Sequence, residues 1–313
     1  MTGEVLAGIN NIYTVRPLED RVDEPRLMLC RIRGKVLRAG EREHNPITAG
    51  DLVALEPNAQ TEDEAWITER MPRRSALLRY NKNSRSPQAI AANVDLLVCV
   101  SSAREPPFRP RFLDRLLVSG HAGGIRPLVF VNKCDLPIDA EAEARLRDYE
   151  RIGSTVIRGS ARTGAGLAEL RPILAGRTSV FSGQSGVGKS SLLNRLDPAL
   201  RLKVGSLSIK HDRGSHTTNF AALVTLEDGA RVIDTPGIRE LDVHDMPPVQ
   251  LRHFYPEFEE PARSCDFASC THTGERGCAV ERAVAAGRIH PDRYESYART
   301  FADLVAFEGN RYG

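Results

Sequence analysis

Residues 183–190, GQSGVGKS, limit what this chain can fold into more than any other segment. They match G-x-x-x-x-G-K-[ST] in full, between the strand-like TSVF and the amphipathic run SSLLNRL. A loop of this kind works where a buried parallel strand hands over to a helix. Gly183, Gly186 and Gly188 leave backbone N–H groups free to wrap an anion with no Cβ in the way, and the following helix turns its positive end toward the charge. This part of the chain is therefore expected to be an α/β sheet that holds phosphates. Gln184, Ser185, Val187 and Ser191 complete the lining segment. Lys189 is expected to reach the β- and γ-phosphates, and Ser190 to offer its hydroxyl to Mg²⁺.

The flanking pattern agrees. VDLLVCVSS, RPLVFVNK and STVIRGS are compact apolar runs that alternate with helical stretches at 110–121 and 139–152, and RTSVFSG and ARVIDT add two more strands. Before them, VLAGINNIYTV, LMLCRIRGKVLR, DLVALEP and AWITERM read as short strands of a small barrel or sandwich. The polar, basic stretch near 73–90 reads as a connector. After about residue 245 the strands stop, and a Cys/His cluster leads into helical periodicity at 279–287 and 291–308. The expected division is a β-rich domain at 1–72, a linker at 73–90, an α/β nucleotide domain at 91–244 and a metal-binding, helical domain at 245–313.

A base-reading site accompanies the phosphate loop. VFVNKCD places Asn132, Lys133, Cys134 and Asp135 where a strand ends. A carboxylate at Asp135 can accept from both N1–H and the 2-amino group of guanine, a bidentate match that adenine cannot make. Lys133 is expected to lie over the base, Asn132 to tie neighbouring loops together, and Ser160 with the backbone of Ala161, in GSARTGAGL, to meet the guanine O6. DTPG follows the strand ARVI, with Asp234 expected to hold the Mg²⁺ water shell and Gly237 to face a γ-phosphate. In ordinary GTPases the phosphate loop comes first. Here Asn132 and Ser160 precede it, so the domain reads as circularly permuted, and the segment after DTPG runs directly into the Cys/His region.

Catalysis is less plainly written. Ile238 stands where a water-orienting Gln follows D-x-x-G in Ras-like proteins, and an isoleucine makes no hydrogen bond to water. Between the phosphate loop and DTPG lies HDRGSHTT. Either Thr217 or Thr218 is expected to complete the Mg²⁺ shell, and His216 is the candidate to orient the attacking water, with a solvated loop histidine as its alternative.

Cys265, Cys270, His272 and Cys278 form C-x4-C-x-H-x5-C, a closed Cys₃His set suited to one structural Zn²⁺. The remaining cysteines, Cys30, Cys99 and Cys134, sit in apolar or strand-like surroundings, and no signal-like segment opens the chain, so a reducing cytoplasm is expected. No run approaches the roughly eighteen apolar residues of a membrane span. The net charge of +2 does not by itself argue for nucleic acid. Location has to do that: Arg70, Arg73, Arg74, Arg79, Lys82 and Arg85 cluster near the first domain boundary, either as an RNA-backbone contact or as a solvated linker, with Tyr80 as a stacking candidate.

Taken together, NKCD, SARTGAGL, GQSGVGKSS, HTT, DTPG and the Cys₃His spacing, in that order, closely resemble the bacterial ribosome small subunit-dependent GTPase A family. The resemblance implies a multidomain α/β protein: an N-terminal OB-fold β-barrel, a circularly permuted P-loop GTPase domain and a C-terminal helical zinc-binding domain. It further implies a cytoplasmic factor, expected to be monomeric, that binds GTP and GDP and assists late maturation of the small (30S) ribosomal subunit through its rRNA. The same resemblance implies that the subunit stimulates hydrolysis. The family's switch histidine maps to His216, although GSHTTN departs from the family's usual G-R-H-T-T-T at Ser215 and Asn219. Two other readings compete: an enzyme that uses the loop only to bind nucleotide, for which no second set of reactive groups is visible, and a nucleotide-dependent RNA-binding protein or translation factor with little hydrolysis, which Ile238 favours.

Overall fold

The computed structural model describes residues 1–19, 26–34, 46–61, 63–81, 86–200, 202, 221–234, 243 and 246–312. Strands β1 (Thr2–Ile9), β2 (Ile12–Pro17), β3 (Met28–Ile32), β4 (Leu52–Pro57) and β5 (Glu64–Arg70) form the N-terminal unit. They pair in the order β1-β2-β3-β5-β4, and β4 returns to β1, so the sheet closes on itself. Only the β3–β5 pair is parallel. This is the five-stranded OB barrel, and closure removes the sheet edges that would otherwise stand open. Alternation drives it: Val5, Val15, Cys30, Val53 and Ile67 point inward and are fully buried.

The segment expected as a connector contains a hairpin instead, β6 (Ala76–Asn81) with β7 (Ser86–Ala92). Two hydrogen bonds tie it to the body: the Ala76 N–H donates to Gly123 O, and Ser75 Oγ donates to Val94 O at 2.6 Å. Polar side chains hid the pairing. Arg79 reaches across the two strands to Gln88 Oε1.

The nucleotide domain is a doubly wound sheet. Strands β8 (Leu96–Ser102), β9 (Arg126–Asn132), β10 (Val156–Arg158), β11 (Thr178–Ser182), β12 (Ala222–Thr225) and β13 (Arg231–Asp234) lie in the order β10-β9-β8-β11-β13-β12, parallel except for β12. The continuous apolar run of β8 is explained by its two covered faces. Leu97 and Cys99 pack toward helices α1 (Pro110–Ala122) and α2 (Ala140–Arg151), while Leu96, Val98 and Val100 pack toward α3 (Leu167–Leu174) and α4 (Lys189–Leu196). β12 also pairs with β1 through Ala7 and Ala222, so the barrel hangs on that edge of the sheet. Arg231 of β13 reinforces the junction by pairing with the buried Glu4 of the barrel.

The C-terminal unit has no strand among its described residues. Short helical turns at Pro248–Phe254 and Pro256–Phe258 lead to α5 (Glu259–Ala262), then α6 (Ala279–Ala285) and the long α7 (Pro291–Tyr312). Its apolar core of Leu251, Tyr255, Phe258, Val280, Ile289, Tyr297 and Leu304 takes in Val118 from α1 of the nucleotide domain. One helix therefore serves two cores.

Candidate nucleotide site and metal centre

Three loops converge at the carboxyl ends of β9, β10 and β11, the side of a parallel sheet where ligands bind. The phosphate loop follows β11. Gly186 and Gly188 have φ of +81° and +94°, and a Cβ on Gly188 would lie 2.3 Å from Asn132 Nδ2. Those two positions accept only glycine without strain. Gly188 caps α4, whose first residues are Lys189 and the buried Ser190. Lys189 Nζ donates to Gly183 O at 2.6 Å and Gln184 O at 2.7 Å, folded back over the loop. Burial pushes its ammonium down to about 8, and the nearby Asp234 carboxylate opposes that shift. Asp234 itself is buried at the end of β13.

The base end is knitted by Asn132. Its Nδ2 donates to Val187 O at 2.8 Å, and its Oδ1 accepts from the Ala161 N–H at 2.8 Å. One buried amide thus joins the phosphate loop to the SARTG loop. The backbone of Ala161, expected with Ser160 to meet the guanine O6, has its N–H turned to Asn132 Oδ1 in this structure. Lys133 has φ of +63°, and its Nζ donates to Gly186 O at 2.8 Å and to Glu105 O, so it too braces the phosphate loop. Cys134 lies half-buried beside it, with its thiol raised by burial. Asp135 accepts from Ser160 Oγ at 2.5 Å on Oδ1, while Arg162 Nη2 lies 2.7 Å from Oδ2. The Ser160 hydrogen bond, with Arg162 adding to it, holds this carboxyl below the usual range. Sequence reasoning missed Arg162 and the Glu105 carbonyl. The S-A-x-x-G-x-G-L spacing assigns no residue type at Arg162, and Glu105 contributes only backbone.

His216, Thr217, Thr218, Gly237 and Ile238 lie outside the described residues, as do Lys82 and Arg85. The rest of the basic cluster is engaged within the protein. Arg70 donates to Pro46 O at 2.9 Å, Arg73 makes a bidentate pair with the fully buried Asp51, and Arg74 pairs with Asp95 at 2.7 Å. Tyr80 packs edge-on against Phe307 of α7, with ring centroids 4.5 Å apart.

The Cys₃His residues do come together. The ligand atoms of Cys265, Cys270, His272 and Cys278 all lie within 4.8 Å of one another. His272 Nδ1 stands 3.6 Å from both Cys265 Sγ and Cys278 Sγ. Zn–S and Zn–N bonds of ordinary length at tetrahedral angles place sulfur and nitrogen about 3.6 Å apart, so the spacing fits the ion. Burial, with Arg252 nearby, lowers the His272 pKa and favours the neutral, ligating imidazole. Glu275 rigidifies the knuckle by accepting from the N–H groups of Thr271 at 2.7 Å and Thr273 at 2.8 Å. Tyr297 of α7 ties it to the core, donating to Thr271 O at 2.6 Å. The cluster is consistent with a structural zinc site.

Known proteins share this plan. The small ribosomal subunit biogenesis GTPase RsgA of Borreliella burgdorferi (strain ZS7) is 35% identical over 305 residues, 97% of either chain. Its namesake from Chlorobaculum tepidum is 41% identical over 268 residues, covering 83% of this chain and 86% of that one. Among solved structures, YjeQ from Thermotoga maritima superposes with a TM-score of 0.74 at 31% identity, over 97% of this chain and 98% of that one. YloQ, described as a circularly permuted GTPase, does so with 0.71 at 30% identity, over 97% and 95%. The RsgA GTPase family pattern matches residues 70–244, the span that carries the three loops described above. The likeness thus runs through barrel, nucleotide domain and C-terminal lobe alike, and the chain belongs to the RsgA GTPase family.

Proposed function

We propose that this GTPase acts in the cytoplasm, as a monomer, in late maturation of the small ribosomal subunit, and that the subunit stimulates hydrolysis, which in turn drives release. The observation that carries the reading is the extent of the similarity: relatives named for small-subunit biogenesis match over 97% of the chain, barrel and metal lobe included. A protein that only turned over nucleotide would have no use for two appended domains, whereas one that grips rRNA and reports nucleotide state has a use for both.

In this reading GTP occupies the groove from Asp135 to Asp234. The phosphates take the backbone of 183–191, and Lys189 leaves the Gly183 and Gln184 carbonyls to meet them. Ser190, at the start of α4, joins Thr217 or Thr218 in holding Mg²⁺, which when bound neutralises charge on the β- and γ-oxygens. Gly237 faces the γ-phosphate, and His216 orients the water in place of the glutamine that Ile238 lacks. One Zn²⁺ per chain, held by Cys265, Cys270, His272 and Cys278, keeps the C-terminal lobe folded.

Turnover measured against added small subunits tests the proposal. The rate is expected to rise steeply with subunit concentration, and His216→Ala to lower the stimulated rate while leaving GDP affinity nearly unchanged. If subunits neither bind nor accelerate hydrolysis, the reading is wrong. Ile238 favours one alternative, a nucleotide-dependent RNA-binding protein with little hydrolysis; subunits would then bind in a GTP-dependent way with no gain in rate.

A further inference from the structure

The Asp135 carboxylate has two partners within the protein. Ser160 Oγ donates to Oδ1 at 2.5 Å, and the guanidinium of Arg162 reaches Oδ2 at 2.7 Å. Guanine would approach the same carboxylate with two adjacent N–H donors, N1–H and the 2-amino group. A guanidinium presents the same kind of fork: planar, cationic and built from parallel N–H bonds. Arg162 therefore offers Asp135 what guanine offers. It also has the freedom to leave, since its side chain is 76% exposed while that of Asp135 is 14% exposed. The carboxylate is held just past the end of β9 by the Ser160 hydrogen bond, whereas the arginine side chain extends from the SARTG turn into solvent.

We propose that Arg162 is a placeholder for the guanine edge: it occupies Asp135 in the nucleotide-free protein and must be displaced when guanine binds, so it tunes guanine-nucleotide affinity and exchange. The inference rests on Asp135 being the guanine acceptor. The physical consequence is competition. Each guanine nucleotide that enters breaks one ion pair at the rim of the site, and each that leaves is replaced by a side chain already tethered beside it. Exposed ion pairs are weak, so the effect is a modest adjustment of affinity.

The test is equilibrium and stopped-flow binding of fluorescent GDP to the full-length protein, wild type and Arg162→Ala, at low and high salt. Removing the competitor is expected to tighten GDP by about two- to five-fold at low salt, with the gain shrinking as salt screens the pair. Arg162→Lys, which keeps the charge without the planar fork, is expected to fall between the two. The same arginine substitution is then made in an Asp135→Asn background and probed with XDP, whose 2-oxo group suits an amide. There the ion pair is gone, and Arg162→Ala is expected to leave XDP affinity unchanged. Weaker GDP binding in Arg162→Ala would mean that the arginine contacts the bound nucleotide, and unchanged binding at low salt would mean no competition; either overturns the proposal. If Asp135→Asn alone keeps full GDP affinity, the fault lies in the assignment of the base site.

Discussion

Arg293 of α7 donates to Asp114 of α1 at 2.6 Å, and neither side chain is more than 2% exposed. The pair joins the C-terminal lobe to the nucleotide domain. It sits in a wider network: Arg145 of α2 donates to both Asp114 oxygens, Tyr149 donates to Oδ1 at 2.6 Å, and Arg293 also reaches Glu257 at 2.6 Å. Both guanidiniums lie over the Tyr149 ring, and Arg293 lies 4.3 Å from the Tyr255 centroid. Buried charges persist only when partnered, and each charge here has at least one ion-pair partner, although Arg145 Nε and Glu257 Oε2 make no hydrogen bond among the described residues.

Asp114→Ala is therefore expected to cost about 3–5 kcal/mol, because it takes a shared carboxylate from two buried guanidiniums and leaves Arg145 with Asp148 and Arg293 with Glu257. Urea unfolding followed by intrinsic fluorescence measures the loss. A change within about 0.5 kcal/mol, the range of an ordinary surface substitution, would show that the network does not hold the lobes together.

Asn132→Ala removes the amide that links Val187 O to the Ala161 N–H across two loops. Each stranded group carries a penalty of about 1–3 kcal/mol if it stays buried. GDP affinity is expected to fall by more than about tenfold, since both the phosphate and base loops lose their brace. Titration of fluorescent GDP checks it.

Gly188→Ala meets two obstacles at once, a φ of +94° and a Cβ only 2.3 Å from Asn132 Nδ2. The variant is expected to lose GDP binding while the barrel and metal lobe stay folded. Calorimetry and circular dichroism on one sample separate those outcomes.

In the proposed site Lys189 meets phosphate as a cation, and burial brings its ammonium down to about 8. Below that pH the charge is present and affinity is full. As pH rises past it the free protein loses the proton that the complex needs, so Kd is expected to climb by up to about tenfold per pH unit. A Kd for GDP that stays flat from about pH 6.5 to 9.5 would contradict the assignment.

Cys270→Ser removes one of four converging donors. Native mass spectrometry is expected to show the loss of one zinc per chain, and hydrogen exchange to rise around Phe258 and Tyr297, the rings packed beside the knuckle. Exchange in β8 and β9 should change far less, because their cores are separate from that of the lobe.

Much of this was written in short spans. The strand-loop-helix around Gly183–Ser190, the NKCD turn at the end of β9 and the Cys₃His knuckle each lie within about a dozen residues. At that range, spacing, periodicity and side-chain chemistry decide the local geometry almost alone. The β6–β7 hairpin was hidden because its stabilising partners lie elsewhere: Gly123 is one of them, far along the chain. The basic cluster misled for the same reason. Arg73 reads as surface until Asp51 is brought beside it.

The phosphate loop shows where the division falls. By itself the sequence determined that a nucleotide binds here, that guanine is its base, that the motif order is permuted and that a metal knuckle follows. Each is a matter of which donors stand a few residues apart. The chain order also suggested that the segment after DTPG is the route to the C-terminal lobe. Tertiary structure supplied a different, physical joint, α1 carrying Val118 and Asp114 into that lobe's core. Asp114 and Arg293 stand 179 residues apart, and no local pattern marks either one. Only once the sheet is covered and α7 lies along α1 do the two charges lose their water, and only then must each find the other.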